Sequence, residues 1–560
     1  MEHKTQKPKP VYSIIDKRHR SLKQMLEVLP SGEPFPFNYE RTRMDRNALF
    51  TMNRVFDPDI VSLTRTQYHR ARLNITDLKN DLLEYDCPKP SRRTEPSYYA
   101  ALQSVREDLG LYKQKLIPLT TGAVAKHKDF PGSKSPGLPW KTRGYATKAE
   151  AVADPQVLDE IRQTWYRIER GVDVTLPDVA CYARAQISGR DTNKVRATWG
   201  YSLTLYLAEG AYFYPVLDYL KNHPHPIIAY GVEIATGGMN YINDMVTTYP
   251  SHPILMGDWS RFDKTIPAWL IRDAFKIVEE AIDMTQVQDS EGLIWPVREK
   301  RSKRRWKELV SYFIDTPIRL SNGERFMKHS GVPSGACFTN VIDSIINAIV
   351  MRYLTYEMTE SLPLADIYLG DDSVIVLPEK IDLEKLAEIA EHYFGMRFNA
   401  SKSFQTYNRQ NVHFLGYYND SGYPDKPIES IVASTIYPER PIKTKIETIS
   451  RLVGQAYSCF NGRHAQSFFE AAAMLVKEEN LEVQDLNDFI HSHQHHFKYL
   501  RTLGIDTSTI TFRDPSDATI TFATQPGLCR RQWRHTDHDL DSLYIRGKEW
   551  YDHHNTIDDT

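Results

Sequence analysis

The chain has 560 residues, of which 41% are hydrophobic and 25% are charged. This composition is typical of a globular protein with a large core and excludes wholesale disorder. The formal net charge is −2 and the sequence pI is about 6.8. A nucleic-acid binder of this size must therefore gather its basic residues in a local patch or channel, and overall charge neither supports nor excludes an RNA partner.

The cysteines, the N-terminal residues and the hydropathy of the chain indicate which kinds of protein are expected. The five cysteines are Cys87, Cys181, Cys337, Cys459 and Cys529, and they form no CxxC pair. That pattern favours a reducing compartment without structural zinc. The first fifteen residues have no apolar core of signal-peptide length, and no run of about 18 apolar residues predicts a transmembrane span.

The first distinctive segments are a loop and a basic strand. The loop contains Ser135, Pro136 and Gly137, which taken alone predict an ordinary turn. Cations then follow at alternating or near-alternating positions: Arg184, Arg190, Lys194 and Arg196. On a strand, Lys194 and Arg196 point to one face, as a clamp for a triphosphate requires, although a solvated edge strand fits too. Glu209, on a predicted helix, either orients these cations or is solvated.

A strand that runs into a helix carries two acids further along. Asp258 stands at the strand end and Asp263 about a turn later. An acid such as Asp258 is also common at a helix N-terminus for purely structural reasons. Apolar residues at helical spacing predict a helix after Pro267. The basic run from Arg298 to Lys307 predicts an RNA-channel wall or a solvated face rather than a nuclear import signal.

A bent loop and an apolar helix come next. Gly331, Pro333 and Gly335 make a loop poor in side chains, and an apolar helix is predicted from Phe338 to Met351. Such a loop lets the backbone approach a nucleic acid closely. Ser334 and Thr339 can hydrogen-bond a sugar or an acid, and Ser334 is also a good helix N-cap.

A hairpin carries two more carboxylates. Residues 367–369 and 373–377 are β-prone, and Gly370-Asp371-Asp372 is the turn between them. Alone, this is a plain polar turn. Together with Asp258 it offers the carboxylate oxygens that two divalent cations about 3.5–4 Å apart require in nucleotidyl transfer.

Beyond the hairpin, two stretches are predicted as helices and one region is rich in histidine. The helices cover residues 382–392 and much of residues 444–479. The histidines between His491 and His496 are predicted to lie on a polar surface rather than to bind metal, and so are His553 and His554.

Seven segments between residues 135 and 418 resemble, in order, motifs G, F, A, B, C, D and E of viral RNA-directed RNA polymerases. The order and the thumb-like segment after Tyr437 are most similar to the polymerases of partitiviruses, with those of picobirnaviruses next. Residues 398–403 resemble motif D and residues 413–418 resemble motif E.

The resemblance implies roles for individual residues. Asp258 and Asp371 would bind both metals, with Asp372 in support, and Asp263 would face the ribose of the incoming nucleotide. Lys402 would protonate pyrophosphate, with simple solvent exposure as the alternative. The loop of Ser135, Pro136 and Gly137 would guide the template. The remaining nucleotide contacts would come from motifs F and B: Arg184, Arg190, Lys194, Arg196, Ser334, Gly335, Thr339, Asn340, Asp343 and Asn347.

The implied fold is α+β, a closed right hand around a central RNA channel, with an antiparallel palm sheet backed by helices. Residues 1–110 would form the N-terminal region and fingers–thumb link, 111–250 the fingers, 251–425 the palm with about 285–328 returning to the fingers, and 426–560 the thumb and tail. The resemblance implies two Mg²⁺, with Mn²⁺ as a substitute. It also implies RNA, ribonucleoside triphosphates and a capsid protein as partners, no membrane, and residence in the virion interior and host cytoplasm.

Two rival classes are disfavoured by the residues. A reverse transcriptase carries an aromatic-x-Asp-Asp hairpin, whereas this hairpin has Gly370 before its two acids. A non-enzymatic RNA-binding or capsid protein would not need Asp258, Asp371 and Asp372 together.

Asp343 marks a departure from the positive-strand relatives, which carry Asn four positions after the motif B Thr. On a helix, Thr339, Asp343 and Asn347 share one face. Asp343 is therefore predicted to face the nucleotide, accepting a 2′-hydroxyl proton or sharing a proton with Asp263. The alternative is an ion pair between Asp343 and a cation such as Arg352.

Overall fold

The computed structural model describes residues 25–460, 462–516, 533 and 538–556. Cys529 and the N-terminal residues tested for a signal peptide lie outside these ranges. Within them, no helix has the length and apolar character needed to cross a membrane.

The N-terminal part of the chain alternates helices with short strands. Up to residue 250 the elements are β1 (Leu26–Leu29), α1 (Arg46–Val55), α2 (Pro58–Gln67), β2 (Tyr68–Arg70), α3 (Ile75–Leu83), α4 (Pro96–Leu109), α5 (Thr121–Ala125), α6 (Lys148–Ala153), α7 (Pro155–Glu169), β3 (Val179–Ala185), β4 (Ile187–Gly189), β5 (Val195–Gly200), α8 (Leu203–Asn222) and α9 (Gly238–Thr247).

The middle part contains most of the strands. From residue 251 to residue 425 the elements are β6 (Ile254–Met256), β7 (Trp259–Ser260), α10 (Phe262–Thr265), α11 (Ala268–Glu279), β8 (Gln286–Gln288), β9 (Ile294–Pro296), α12 (Glu299–Ile314), β10 (Thr316–Arg319), β11 (Arg325–Lys328), α13 (Thr339–Thr359), β12 (Ala365–Leu369), β13 (Asp372–Val376), α14 (Leu383–Phe394), β14 (Arg397–Phe398), β15 (Phe404–Thr406), β16 (His413–Phe414), β17 (Tyr417–Asp420) and β18 (Tyr423–Asp425).

The C-terminal part is helical. Its elements are α15 (Ile428–Ile436), α16 (Lys445–Cys459), α17 (Gly462–Glu478), α18 (Val483–Ser492), α19 (Lys498–Thr502) and α20 (Leu540–Thr556). The predicted helices after Pro267 and near residue 382 are confirmed as α11 and α14, and the helical prediction for residues 444–479 corresponds to α16 and α17.

A four-stranded antiparallel sheet in the order β12-β13-β6-β15 carries the predicted hairpin. Residues on both faces of its central strands are buried, and the long helix α13 packs against it. α13 is apolar nearly all round, which is why it lies inside the protein rather than on its surface. This arrangement gives the carboxylate-bearing turns a rigid support.

A second sheet of five strands, in the order β1-β11-β10-β3-β5, carries the basic strand. The core beneath it is continuous with the core around α13, so the two sheets cannot move freely past each other. The N-terminal helices α1 and α2 contribute Met52, Phe56 and Val61 to a separate core formed mainly by α15 to α18. Helices α1 and α2 thereby pack against helices that lie far away in sequence.

The final helix, α20, returns from the C-terminal part to pack along α4. Gly547 allows the close approach, because a Cβ atom there would lie 2.3 Å from the Tyr99 carbonyl oxygen. Trp550 Nε1 donates to Glu280 Oε1 at 2.6 Å, and Arg92 stacks over the Tyr551 ring. Helix α20 thus packs against the central core.

Candidate active site

Two turns at one end of the four-stranded sheet hold the predicted metal-binding carboxylates. Asp258 lies between β6 and β7, and its backbone N–H donates to Ser403 Oγ at 2.9 Å. Asp371 lies at the tip between β12 and β13, where Gly370 has a φ of 58° that suits glycine. β13 pairs with β6, so residues 113 positions apart in sequence end on the same side of one sheet.

These carboxylates raise one another's proton affinity. Burial raises the pKa of Asp371, and the charges of Asp263 and Asp258 add to the rise. Burial, followed by the neighbouring charge of Asp371, raises the pKa of Asp372 to about 6. The pKa of Asp258 is raised overall, because the effect of burial exceeds the opposing effect of the Lys402 charge. Crowded acids of this kind favour bound cations, which would relieve their repulsion.

The donor set fits hard divalent cations of the Mg²⁺ type. Carboxylate oxygens are the ligands that such cations prefer, and Mg²⁺ is usually held by one or two carboxylates together with substrate phosphates and water. The described residues contain no ready-made group of three or more His, Cys, Asp or Glu ligands. Asp258 and Asp371 would therefore supply two ligands, and the substrate and water the others.

An open cleft of about 720 Å³ passes in front of these turns. Nine of the predicted site residues line it: Asp258, Asp371, Asp263, Ser334, Asn340, Asp343, Lys194, Arg196 and Lys402. The cleft is therefore lined by both carboxylates and cations, the combination that a nucleoside triphosphate with its metal ions needs.

Asp263, Ser334 and Asp343 form a short hydrogen-bonded series in the cleft. Ser334 Oγ donates to Asp263 Oδ2, and Asp263 in turn hydrogen-bonds the carboxyl of Asp343. Asp343 is 6% exposed, and its Oδ1 has no hydrogen-bond partner. Burial, followed by the charge of Asp263, raises the pKa of Asp343 well above its usual range, which favours a hydrogen bond between the two carboxyl groups.

Arg352, the cation named as an alternative partner for Asp343, lies in a different ion-pair network. Arg352 is buried and pairs with Asp366 Oδ2 and Asp108 Oδ2, both at 2.8 Å. This network joins α13 to β12 and α4, away from the cleft. These partners disfavour the Asp343–Arg352 pairing.

Lys328 supports the loop before α13 from inside the protein. It is fully buried, and its Nζ donates to the carbonyls of Phe313, Ile314 and Gly331 at 2.6–2.9 Å. Gly331 has a φ of 78°, and a Cβ atom there would lie 2.8 Å from the Asp263 carbonyl oxygen. The loop thus packs directly on the turn that carries Asp263.

The basic strand behaves in part as predicted. Lys194 and Arg196 are exposed on the cleft wall, while Val195 and Ala197 between and beyond them are buried. Arg184 and Arg190 do not line this cleft and have partners elsewhere, which disfavours the nucleotide contacts predicted for them. Arg184 pairs with Glu439 at 2.8 Å, and Arg190 donates to the Arg65 carbonyl. Both join this strand pair to other parts of the chain.

Two residues of α13, Thr339 and Asn347, hydrogen-bond backbone groups. Thr339 Oγ1 donates to the Pro333 carbonyl at 2.6 Å. Asn347 is fully buried and donates to the carbonyls of Gly370 and Asp372, while accepting from Trp259 Nε1. These partners disfavour direct nucleotide contacts by Thr339 and Asn347, and Asn347 helps to fix the hairpin turn.

Gly335 and Asn340 differ in their positions. Gly335 lies against β5, and a Cβ atom there would be 2.0 Å from the Trp199 carbonyl oxygen. It does not line the cleft, and its nucleotide contact stays a prediction. Asn340 does line the cleft, and its Nδ2 donates to Tyr230 Oη at 2.9 Å.

The predicted template loop lies outside this cleft. Ser135 Oγ hydrogen-bonds Tyr182 Oη at 2.7 Å, the Pro136 carbonyl accepts from Leu203 N, and Gly137 has a φ of 66°. The loop is therefore held firmly between β3 and α8. Its role in template binding stays a prediction.

Both interpretations of Glu209 made from the sequence are wrong. Glu209 is 4% exposed, so it is not solvated, and it does not reach the cations of the basic strand. Its Oε1 accepts from the Phe338 backbone N–H at 2.9 Å instead. An acid in an apolar helix carries no local sign of such a long-range partner.

Several cleft residues are absent from the sequence-based prediction. Helix α3 contributes Asp81, and the following turn contributes Glu84; both pair with Lys264. Arg261, with a φ of 56°, reaches Glu84 at 3.1 Å. Arg261 and Lys264 lie next to Asp263 in sequence, so their place in the cleft could have been predicted from it. The contribution of α3 could not, because α3 is distant in sequence.

The basic run also has a definite location. Residues 299–307 belong to α12, where Arg304 donates to the Glu169 carbonyl and Arg305 pairs with the Glu169 carboxylate. This part of α12 packs on α7 and does not line the cleft. The rings of His493, His495 and His496 lie close together, and their location away from metal stays a prediction.

Comparisons with known proteins agree with this geometry. The sequence model of the family described as viral RNA-dependent RNA polymerase matches residues 50–467, well over half of the chain. Three similar curated proteins are RNA-directed RNA polymerases. The chain is 29% identical to that of Atkinsonella hypoxylon virus over 49% of its length, and 25% identical to those of Cryptosporidium parvum virus 1 and White clover cryptic virus 1 over 65% and 54% of its length.

The coverage of these relatives is partial. The matched regions span 47%, 70% and 52% of the three polymerases, respectively. Among solved structures, the Sicinivirus 3Dpol RNA dependent RNA polymerase superimposes with a TM-score of 0.61. That match covers 86% of this chain and all of the other at 14% identity, which shows a shared fold.

Proposed function

This chain belongs to the viral RNA-dependent RNA polymerase family, and we propose that it copies RNA by adding ribonucleoside triphosphates to an RNA 3′ hydroxyl. The observation that carries the proposal is the arrangement of Asp258 and Asp371 on adjoining turns of one sheet, in a cleft that Lys194 and Arg196 also line. The turns would bind the metals, and the strand would bind the triphosphate. The sequences that it resembles place it with the polymerases of partitiviruses and cryptic viruses.

We assign two Mg²⁺ to Asp258 and Asp371, with Asp372 in support and Mn²⁺ as a substitute. When bound, the metals would activate the attacking hydroxyl and stabilise the charge that develops on the triphosphate. The residues of the chain then have separable tasks. Asp258 and Asp371 hold the cations, whereas Lys194 and Arg196 neutralise the leaving group.

Lys402 is the proposed proton donor to the leaving pyrophosphate. It is exposed at the cleft, and its charge lowers the pKa of Asp258. An ammonium group at this edge of the cleft has both the charge and the proton that departing pyrophosphate requires.

Asp263 and Asp343 are the proposed ribose sensors. A proton shared between them would leave one oxygen of the pair as an acceptor and another as a donor, which suits a hydroxyl group that can do both. A deoxyribonucleotide would leave these buried polar atoms unpaired, and such analogues are rejected strongly. Ser334 would hold Asp263 in place through its hydrogen bond.

RNA template and product, ribonucleoside triphosphates and a viral capsid protein are the proposed partners. Transcription and replication of a double-stranded RNA genome inside the virion, in the host cytoplasm, is the proposed setting. The similar proteins support a viral setting because they are RNA-directed RNA polymerases of viruses, one of them White clover cryptic virus 1.

A primer-extension assay tests the proposal. The purified chain would be given RNA or DNA templates with ribo- or deoxyribonucleotides and Mg²⁺ or Mn²⁺. Ribonucleotide incorporation on RNA that depends on template and metal is expected. Preferential deoxyribonucleotide incorporation would indicate a reverse transcriptase, and RNA binding without incorporation would indicate a non-enzymatic role.

A further inference from the structure

Glu209 is a buried acid with one unpaired oxygen. It lies in the middle of α8, 4% exposed, and its Oε1 accepts from Phe338 N at 2.9 Å. The Cys337 backbone N–H also donates to this carboxylate, whereas Oε2 has no partner. Burying a carboxylate without full hydrogen bonding is costly, so its presence requires a compensating gain.

The gain lies at the start of α13. The first N–H groups of a helix have no partner within the helix and favour a negative charge. Phe338 is the N-cap of α13, and its side chain makes no capping hydrogen bond. Glu209 therefore supplies, from another helix, the acceptor that the 21-residue helix α13 lacks.

The same helix start is also fixed from β5. Trp199 N–H donates to the Ser334 carbonyl at 2.9 Å, and Gly335 packs on the Trp199 backbone. Ser334 then projects its hydroxyl onto Asp263 in the cleft. The loop is thus held at both ends from behind, by Trp199 near Ser334 and by Glu209 at Phe338.

We infer that Glu209 is a positioning residue for nucleotide selection. It holds the loop that sets Ser334 against Asp263, although its own side chain does not line the cleft. The inference rests on the proposed polymerase function. Loss of the Glu209 contact would let the loop shift, which would weaken nucleotide binding and ribose discrimination while RNA binding stayed unchanged.

The surroundings of Glu209 make it a titrating group near neutral pH. An apolar cavity beside it has about 10 Å³, room for one water, and is lined by Tyr201, Phe275, Trp306 and Phe338. Burial raises the pKa of Glu209 to about 7. A protonated carboxyl is a weaker acceptor and has no charge to offer the helix start.

The other titratable groups in this region do not obscure the titration of Glu209. They are Tyr201, Tyr206, Tyr312, Cys337 and Lys148. Burial raises the pKa of each of the first four, so all four remain neutral between pH 6 and 8. Burial lowers the pKa of Lys148 to about 8, and this titration is common to the wild type and to Glu209 variants.

The test compares Glu209→Gln, which keeps a carbonyl acceptor, with Glu209→Leu, which removes it. Asp218→Asn, an exposed position on the same helix, is the control. In Glu209→Leu we expect the nucleotide KM to rise and ribose discrimination to fall, each about ten-fold, as for a lost charge-assisted hydrogen bond. RNA affinity should not change, and Asp218→Asn should match the wild type.

A pH profile provides the second measurement. The wild-type nucleotide KM should rise as the pH falls from 8 to 6, and this difference should shrink in Glu209→Gln. Normal KM and discrimination in folded Glu209→Leu would overturn the inference. If Glu209→Leu does not fold, an unchanged pH profile in Glu209→Gln would overturn it. A wild-type chain that incorporates no nucleotide would overturn the proposed function itself.

Discussion

At the scale of single residues, the carboxylates of the cleft lower the free energy of unfolding in the absence of metal. The same crowding of negative charge favours the binding of cations. Burial raises the pKa of Asp372 to about 6, above the ordinary value of 3.8. Between these pH values the folded state binds more protons than the unfolded state. The free energy of unfolding contributed by this group therefore falls as the pH rises through that window.

Removing an acid should then stabilise the metal-free protein. We expect Asp372→Asn to raise Tm by about 2–4 °C at pH 8 and by less at pH 5, since a domain of this size responds weakly per kcal/mol. Exposed Asp420→Asn is the control. The same gain at both pH values would show that the effect does not come from this carboxylate's ionisation.

Asp258→Ala and Asp371→Ala should abolish nucleotide incorporation while the fold persists, because each removes a proposed ligand of both metals. Extension assays and thermal melts on the same preparations measure the two effects. Near-normal incorporation by Asp371→Ala would refute the metal assignment.

The acid pair of the ribose site gives a sharper contrast. A protonated Asp343 is nearly isosteric with Asn, so Asp343→Asn should keep ribose discrimination, whereas Asp343→Ala and Asp263→Ala should lose it by about ten-fold or more. The ratio of ribo- to deoxyribonucleotide incorporation measures this. Retained discrimination in Asp343→Ala, with loss in Asp263→Ala, would transfer the supporting role to Asn340.

The cations in and near the basic strand fall into two classes, those that line the cleft and those paired elsewhere. Lys194→Ala and Arg196→Ala should weaken nucleotide use by about 2–4 kcal/mol in the transition state. Arg184→Ala should leave nucleotide kinetics unchanged, because its guanidinium already pairs with Glu439. Steady-state kinetics on single-nucleotide addition distinguish these outcomes. Normal nucleotide kinetics with reduced template affinity would place Lys194 and Arg196 in the RNA channel.

At the scale of elements, the sequence predicts those strands, turns and helices that short-range residue patterns determine. The hairpin around Asp371 and the strand end at Asp258 follow from β-prone runs and a turn, and the structure has both. Asn347 and Glu209 could not be assigned this way, because helical periodicity says which face a residue occupies but not which backbone group meets it. Their partners, Gly370 and Phe338, are set by tertiary packing.

The packing of α20 on α4 yields a prediction at this scale. Gly547→Ala should destabilise the protein, because the added Cβ would meet the backbone of Tyr99 at 2.3 Å. We expect about 1–3 kcal/mol, the usual cost of overpacking. Gly462→Ala in α17 is a matched control, since nothing lies within 4 Å of its Cβ. Thermal or denaturant melts compare the two, and equal stability would show that α20 is not firmly docked.

At the scale of the whole molecule, a net charge of −2 conceals a cationic cluster formed by distant segments. Lys134 precedes the predicted template loop, Arg440 precedes α16, and Lys498 begins α19. Burial lowers the pKa of Lys134, and the charges of Lys498 and Arg440 lower it further. Burial, followed by the charge of Arg440, lowers the pKa of Lys498 as well. Cations that repel one another in this way are stabilised by a polyanion, and RNA is the polyanion that the proposed function supplies.

The salt dependence of RNA binding tests this cluster. For single-stranded RNA, each phosphate contact contributes about 0.7 to the slope of log K against log salt. Lys498→Ala and Lys134→Ala should each lower RNA affinity at low salt and reduce the slope by about that amount. Lys445→Ala is the control, because this lysine of the same region already pairs with Glu478 and Glu479. A slope unchanged from the wild type in both variants would mean that the RNA follows another route between these segments.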